Sequence, residues 1–163
     1  MRMNNEIRKK PTNMVFPLNL SVQRAVRAPG APLRPQMMRA VRATQECAAE
    51  ITIRIVGEAE GLELNETFRH QNHATNVLSF PYTDAPMVSG DLVLCAAVVT
   101  REAREQHKTL QAHYMHLIVH GVLHLHGYDH EQNEDAARME AREIEIMTGL
   151  GFANPYSEME PLS

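Results

Sequence analysis

Residues 109–126 carry apolar side chains around much of a helical circumference, Leu110, Met115, Leu117, Ile118, Val119, Val122, Leu123 and Leu125 among them. A surface helix needs only one apolar stripe, so a helix clothed this way belongs inside a domain. A chain of 163 residues is of single-domain size and long enough to bury such a helix. With 44% hydrophobic and 22% charged residues it has the balance of a globular protein rather than a disordered one. Its longest uninterrupted apolar run, residues 92–99, is eight long. A spanning helix needs roughly 20, so no transmembrane segment is expected.

The remaining elements follow from periodicity. Residues 14–26 allow an opening strand, broken by Pro29, Gly30 and Pro32. Met37, Val41, Thr44 and Ala48 recur at helical spacing and predict a helix with one weak apolar stripe. Residues 51–56 alternate strictly and predict a strand with its Ile face buried. Residues 57–68 are ambiguous and read as a helical turn interrupted at Gly61; residues 76–80 read as a strand stopped by Pro81. After a polar turn over 83–90, residues 91–95 give another strand. Helical patterns then start at Ala96 and, beyond a division at His107-Lys108, at Thr109, the latter ended by Gly127. A last helix is predicted over 131–148, charged on its outer face, with Met139, Ile146 and Leu150 available for packing. The expected organisation is a disordered extension over 1–13, one domain over 14–156 and a tail over 157–163.

Charge is distributed unevenly. Up to Thr44 nine Lys/Arg face Glu6 alone, a balance of +8, while from Gln45 onward seven face nineteen Asp/Glu, a balance of −12. The net −4 therefore conceals a basic front, and a polyanionic partner is not excluded. Only two cysteines, Cys47 and Cys95, and a polar start without an apolar export segment point to a reducing, cytoplasmic setting.

Seven of the nine histidines lie between His107 and His130. His120 and His124 are four residues apart, a turn of about 400° and a rise of about 6 Å, so both imidazoles sit on one helix face. Gly127 lets the chain leave the helix, and His130 can then turn back toward the pair. The pattern H-x3-H-x2-G-x2-H offers three imidazoles and one open position, the arrangement of catalytic rather than structural zinc. His116 is also four residues from His120 but about 12 Å from His124 along the axis, too far to share its ion. His113, His116 and His126 are read as hydrogen-bonded core, outer-shell or surface residues. The spacing coincides with that of metzincin proteases, yet Gly121 stands where those enzymes carry the glutamate base.

The block His120-Gly121-Val122-Leu123-His124-Leu125-His126-Gly127-Tyr128-Asp129-His130 resembles the signature of the YbeY family of bacterial metal-dependent endoribonucleases and rRNA maturation factors. Leu64-Asn65, Phe68-Arg69, Thr75-Asn76-Val77-Leu78-Ser79-Phe80-Pro81, Gly90-Asp91-Leu92 and Gly149-Leu150-Gly151 stand in the same order, so the resemblance runs over residues 50–156. It implies a single α/β (α+β) domain, a small mixed β-sheet flanked by helices, with a buried metal-bearing helix. It further implies one Zn(2+) per chain at His120, His124 and His130, and a catalytic arginine at Arg69. Single-stranded RNA would be the substrate, within an rRNA precursor and the small ribosomal subunit, in small-subunit 3′-end maturation and ribosome quality control. Two positions depart from the family pattern: Asn72 replaces an acid that would neighbour Arg69, and His126 replaces a commonly apolar residue. The alternative readings are a metzincin-like zinc peptidase, disfavoured by Gly121, and a non-catalytic ribosome-binding zinc module.

Overall fold

The computed structural model describes residues 15–71, 73–129 and 131–157. In chain order its elements are β1 (Leu18–Arg24), α1 (Arg34–Thr44), β2 (Ala48–Val56), α2 (Glu58–Arg69), β3 (Val77–Thr83), β4 (Met87–Cys95), α3 (Ala96–Glu105), α4 (Leu110–Leu125) and α5 (Asn133–Gly149). The strands form one mixed sheet in the order β1-β2-β4-β3, with β1, β2 and β4 parallel and β3 antiparallel at one edge. The fold is α/β, a single domain, as the sequence implies.

Strand alternation decides which layer covers which face. Ile51, Ile53 and Ile55 of β2 pair with Gly90, Leu92 and Leu94 of β4. That face is buried in the main core with Met37 and Val41 of α1 and Ile118, Val122 and Leu125 of α4. The opposite face holds a smaller core of Val56, Leu78, Val93, Cys95 and Val98, covered in part by Leu64 of α2. Helix α4 is buried along most of its length, as its all-round apolar surface demands. Thr109 caps it by accepting the Ala112 N–H at 3.1 Å.

Two glycines let α4 lie close against β4. A Cβ on Gly121 would stand 2.7 Å from Leu92 Cδ2, and one on Gly90 would stand 2.6 Å from Leu125 Cδ2 and 2.7 Å from the Phe80 carbonyl oxygen. Helix and strand thus approach where each has given up its side chain.

Several boundaries differ from the sequence reading, each for a physical reason. The apolar stripe of α1 ends at Thr44, because Gln45 turns extended and Ala48 already belongs to β2. Helix α2 runs unbroken through Gly61, which is buried beside Cys95. Pro81 does not stop β3; the strand continues to Thr83 with a register shift, tolerable at an edge where a missing N–H leaves no neighbouring strand unpaired. Strand β4 begins at Met87 rather than Asp91, since Val88 and Gly90 face the core while polar Ser89 points away. Helix α5 starts at Asn133 and ends at Gly149. The predicted extension over 1–13 and the tail beyond Ser157 lie outside the described residues.

Gly90→Ala should cost about 1–3 kcal/mol, because its new methyl meets a backbone oxygen that cannot swing aside. Gly121→Ala should cost less, since the Leu92 methyl can rotate and alanine regains roughly 1 kcal/mol of helix propensity. Thermal unfolding of the two variants checks the order; equal melting temperatures would contradict it.

Candidate functional site

Helix α4 carries His120 and His124 out of the core on one face, with ring centroids 4.6 Å apart and Nε2 atoms 3.1 Å apart. Their Nδ1 atoms are held from behind. His124 Nδ1 lies 3.0 Å from the Tyr128 carbonyl oxygen, which can only accept, so this nitrogen carries the proton. His120 Nδ1 lies 2.6 Å from Glu143 Oε1. Glu143 is fully buried on α5, and its Oε2 accepts from Tyr156 Oη. His116 Nε2 stands 3.3 Å from Glu143 Oε1. Burial opposes charge on Glu143, but the contacts from His116, His120 and Tyr156 outweigh it and hold the carboxyl down at about 2. An ionised carboxylate is an acceptor, so His120 Nδ1 donates as well.

With both Nδ1 atoms donating, the two Nε2 atoms face each other. Lone pairs at 3.1 Å repel unless a positive charge is shared between them. Tetrahedral zinc with bonds of 2.0–2.1 Å would separate two nitrogens by about 3.3 Å. The pair and its outer partners therefore fit an ion of that kind, in the carboxylate–histidine and carbonyl–histidine arrangement that fixes a ligand's tautomer. His130 lies outside the described residues, as does Asn72. Among the described residues no group of three His, Cys, Asp or Glu converges to hold a metal.

A cleft of about 650 Å³ opens in front of the pair, lined by His120, His124, Asp129 and Glu131 on one side and Asn65, Arg69, Thr75, Asn76 and Ser79 on the other. Arg69, the last residue of α2, is exposed and donates through Nη2 to the Ser79 carbonyl oxygen at 3.0 Å. Arg69, His120 and His124, far apart in sequence, thus line one cavity. Asn65 is buried beneath the cleft and donates to the His73 carbonyl oxygen at 2.6 Å, tying down the segment between α2 and β3.

The other histidines of α4 have partners in the body of the protein. His113 Nε2 lies 2.9 Å from Glu102 Oε1. His126 donates from Nδ1 to the Val122 carbonyl oxygen and accepts the Glu46 N–H at Nε2. Both are pushed down from the usual histidine value by burial, against the pull of Glu102 on the first and of the Val122 carbonyl on the second. Glu143 is the functional residue that sequence reasoning missed. Its signal was there: Met139, Glu143, Ile146 and Met147 share one helical stripe, so a carboxylate stood in an otherwise apolar row.

The family model described as endoribonuclease YbeY matches residues 31–151. The chain belongs to the endoribonuclease YbeY family. It is 59% identical over 124 residues to the endoribonuclease YbeY of Polaromonas naphthalenivorans, covering 76% of this chain and 82% of that one. It is 48% identical over 149 residues to that of Methylibium petroleiphilum, covering 91% and 99%. A solution structure of a Thermotoga maritima protein shares the fold at a TM-score of 0.51 and 23% identity, over 90% of this chain and 99% of the other. Four of the blocks that resemble YbeY proteins are separate in sequence and meet at the cleft, which Asn65, Arg69, residues 75–79, Pro81, His120, His124 and Asp129 line.

Burial of neutral His113 and His126 sets a pH dependence. An unfolded histidine titrates near 6.5 and these two titrate lower when folded, so below about 6.5 the unfolded chain binds more protons. Their contribution to stability is complete above that pH and is lost as pH falls through the folded values. Urea unfolding between pH 8 and 5 should show the loss, smaller in His126→Leu; stability rising on acidification from pH 7 would contradict it.

Proposed function

We propose that this chain is a metal-dependent endoribonuclease that cuts single-stranded RNA, acting on rRNA precursor and the small ribosomal subunit in 3′-end maturation and ribosome quality control. The observation that carries the reading is the meeting of Arg69 with the His120–His124 pair across one cleft, in a chain of a family named for endoribonuclease activity. His120, His124 and His130 would hold one Zn(2+), supported by the facing Nε2 atoms and their fixed Nδ1 partners. Bound zinc supplies Lewis acidity toward a phosphoryl oxygen.

The protein's own part is binding and orientation. A guanidinium has five donors in a rigid fork, and the Ser79 carbonyl takes one from Arg69. The fork suits the non-bridging oxygens of a phosphodiester and stabilises charge as it grows on them. Glu143 and the Tyr128 carbonyl keep the two imidazoles in the tautomer that presents Nε2 to the cleft. A cleft of this size takes a short flexible strand, which favours unpaired RNA over a duplex.

Arg24, Arg34 and Arg42 donate to the carbonyls of Pro32, Leu20 and Phe16, so part of the basic front also staples β1 to its surroundings. Their charge persists, and with exposed Arg27 and Arg39 it would add salt-sensitive affinity for the RNA backbone. Among the described residues no helix is long and apolar enough to cross a membrane; a cytoplasmic location belongs to the proposal. The peptidase reading finds no support: position 121 faces Leu92 in the core, and a glutamate there would enter the helix–strand contact rather than the cleft.

Cleavage of a defined rRNA precursor tests the reading, with wild type, His124→Ala and Arg69→Ala prepared identically. Arg69→Ala should lose about 10²–10³-fold in turnover with its melting temperature and metal content unchanged. His124→Ala should lose both zinc and cleavage. Full zinc occupancy after replacement of His120 and His124 would overturn the metal assignment, and unchanged turnover in Arg69→Ala would remove that residue from the mechanism.

A further inference from the structure

The end of α4 is closed by a Schellman turn. Gly127, at φ +97°, donates to the His124 carbonyl oxygen, and Tyr128 donates to the Leu123 carbonyl oxygen, both at 3.0 Å. This turn brings the Tyr128 carbonyl back over the last helical turn, where it accepts from His124 Nδ1. The backbone bonds fix where Tyr128 begins. The direction of its carbonyl also depends on what holds the other end of the residue.

That other end is anchored 82 positions away in sequence. Tyr128 Oη donates to Glu46 Oε2 at 2.6 Å. Glu46 lies in the short connection between α1 and β2, and its carboxylate, with only 11% of the side chain exposed, also has Arg142 Nε of α5 at 3.7 Å. Its backbone N–H donates to His126 Nε2 at 3.3 Å, so the residue is held through its main chain as well. A phenol hydroxyl carries a proton throughout the neutral range, so it serves as the donor in this bond.

A mostly buried carboxylate is a costly way to hold a helix end, since apolar packing of similar volume does so without desolvating a charge. What the carboxylate adds is direction. We propose that Glu46 and Tyr128 form a positioning clamp for His124: Glu46 fixes the Tyr128 ring, and the ring fixes the carbonyl that sets the tautomer and orientation of the imidazole. The proposal rests on the reading of His124 as a metal ligand. It places a positioning residue in the α1–β2 connection, well outside the histidine signature, and gives the signature tyrosine a role through both its carbonyl and its hydroxyl. The same clamp holds the start of the segment that leads to His130.

The test is the affinity of the full-length chain for Zn(2+) alone, by competition with a chromophoric chelator, with the melting temperature of the metal-free chain measured beside it. Tyr128→Phe keeps the ring and removes only the hydroxyl, and Glu46→Ala removes the acceptor. Each should weaken zinc binding on the order of 10-fold, the size of effect seen when outer partners of metal ligands are lost. Glu46→Gln keeps an acceptor oxygen and should restore most of the affinity. The double variant Glu46→Ala/Tyr128→Phe should bind no worse than either single one, because both cut the same link.

Affinities within about twofold of wild type in both single variants would overturn the clamp. So would losses that add in the double variant, or that follow the metal-free melting temperature across the set. Should Tyr128→Phe fold poorly, the Glu46→Ala and Glu46→Gln pair carries the test alone. A wild-type chain that binds no zinc overturns the metal reading and the clamp with it, whereas wild type and variants binding zinc equally well overturns the clamp only.

Discussion

Helix α4 has to be buried and yet deliver polar groups to solvent, and the rest of the molecule is arranged around that requirement. Its apolar circumference forces strands and helices around it, with α1, α5 and the sheet each taking a side. Against β4 the approach is close, because Gly121 and Gly90 remove the side chains that would hold helix and strand apart. With α4 seated there, His120 and His124 emerge where its covering is incomplete. The cleft is that opening, and β3 and the end of α2 form its far wall.

A helix so buried needs partners for the polar groups around it, and carboxylates on neighbouring elements take part in several of these contacts. Glu143 is reached by His120, His116 and Tyr156. Glu46 is reached by Tyr128 and Arg142, and Glu102 accepts from Asn76 and lies against His113. Buried carboxylates without such partners would be strongly destabilising, so their presence records what they hold. Around the cleft they hold imidazoles. The chemistry exposed in the cavity thus depends on hydrogen bonds made behind it, by residues that do not line it.

Much of this was legible before folding. Strict alternation over residues 51–56 identified β2 and its buried Ile face, because a strand with one covered face must repeat every second residue. Gly127 marked the end of α4 because its positive φ suits glycine. Boundaries that depend on neighbours were less accessible. Pro81 reads as a strand end unless it is known to lie at a sheet edge, and Ser89 reads as turn unless its partner strand is known. Glu143 was hidden for a related reason, since a charged residue on a charged helix looks solvated until the partner for its carboxylate is in place.

The sequence by itself determined that α4 would be buried, that His120 and His124 would share a face one turn apart, and that the chain resembles the YbeY family. The first two are properties of periodicity and spacing, which helix geometry converts directly into directions, and the third rests on the identities of the residues in the signature blocks. Only the tertiary structure decided that Arg69 would stand across the same cleft and that Glu143 would take the proton side of His120. It also decided that Glu46 would reach the tyrosine beside His124. Each of those contacts joins residues separated by 23 to 82 positions or brought together by the sheet order, and local spacing carries no information about them.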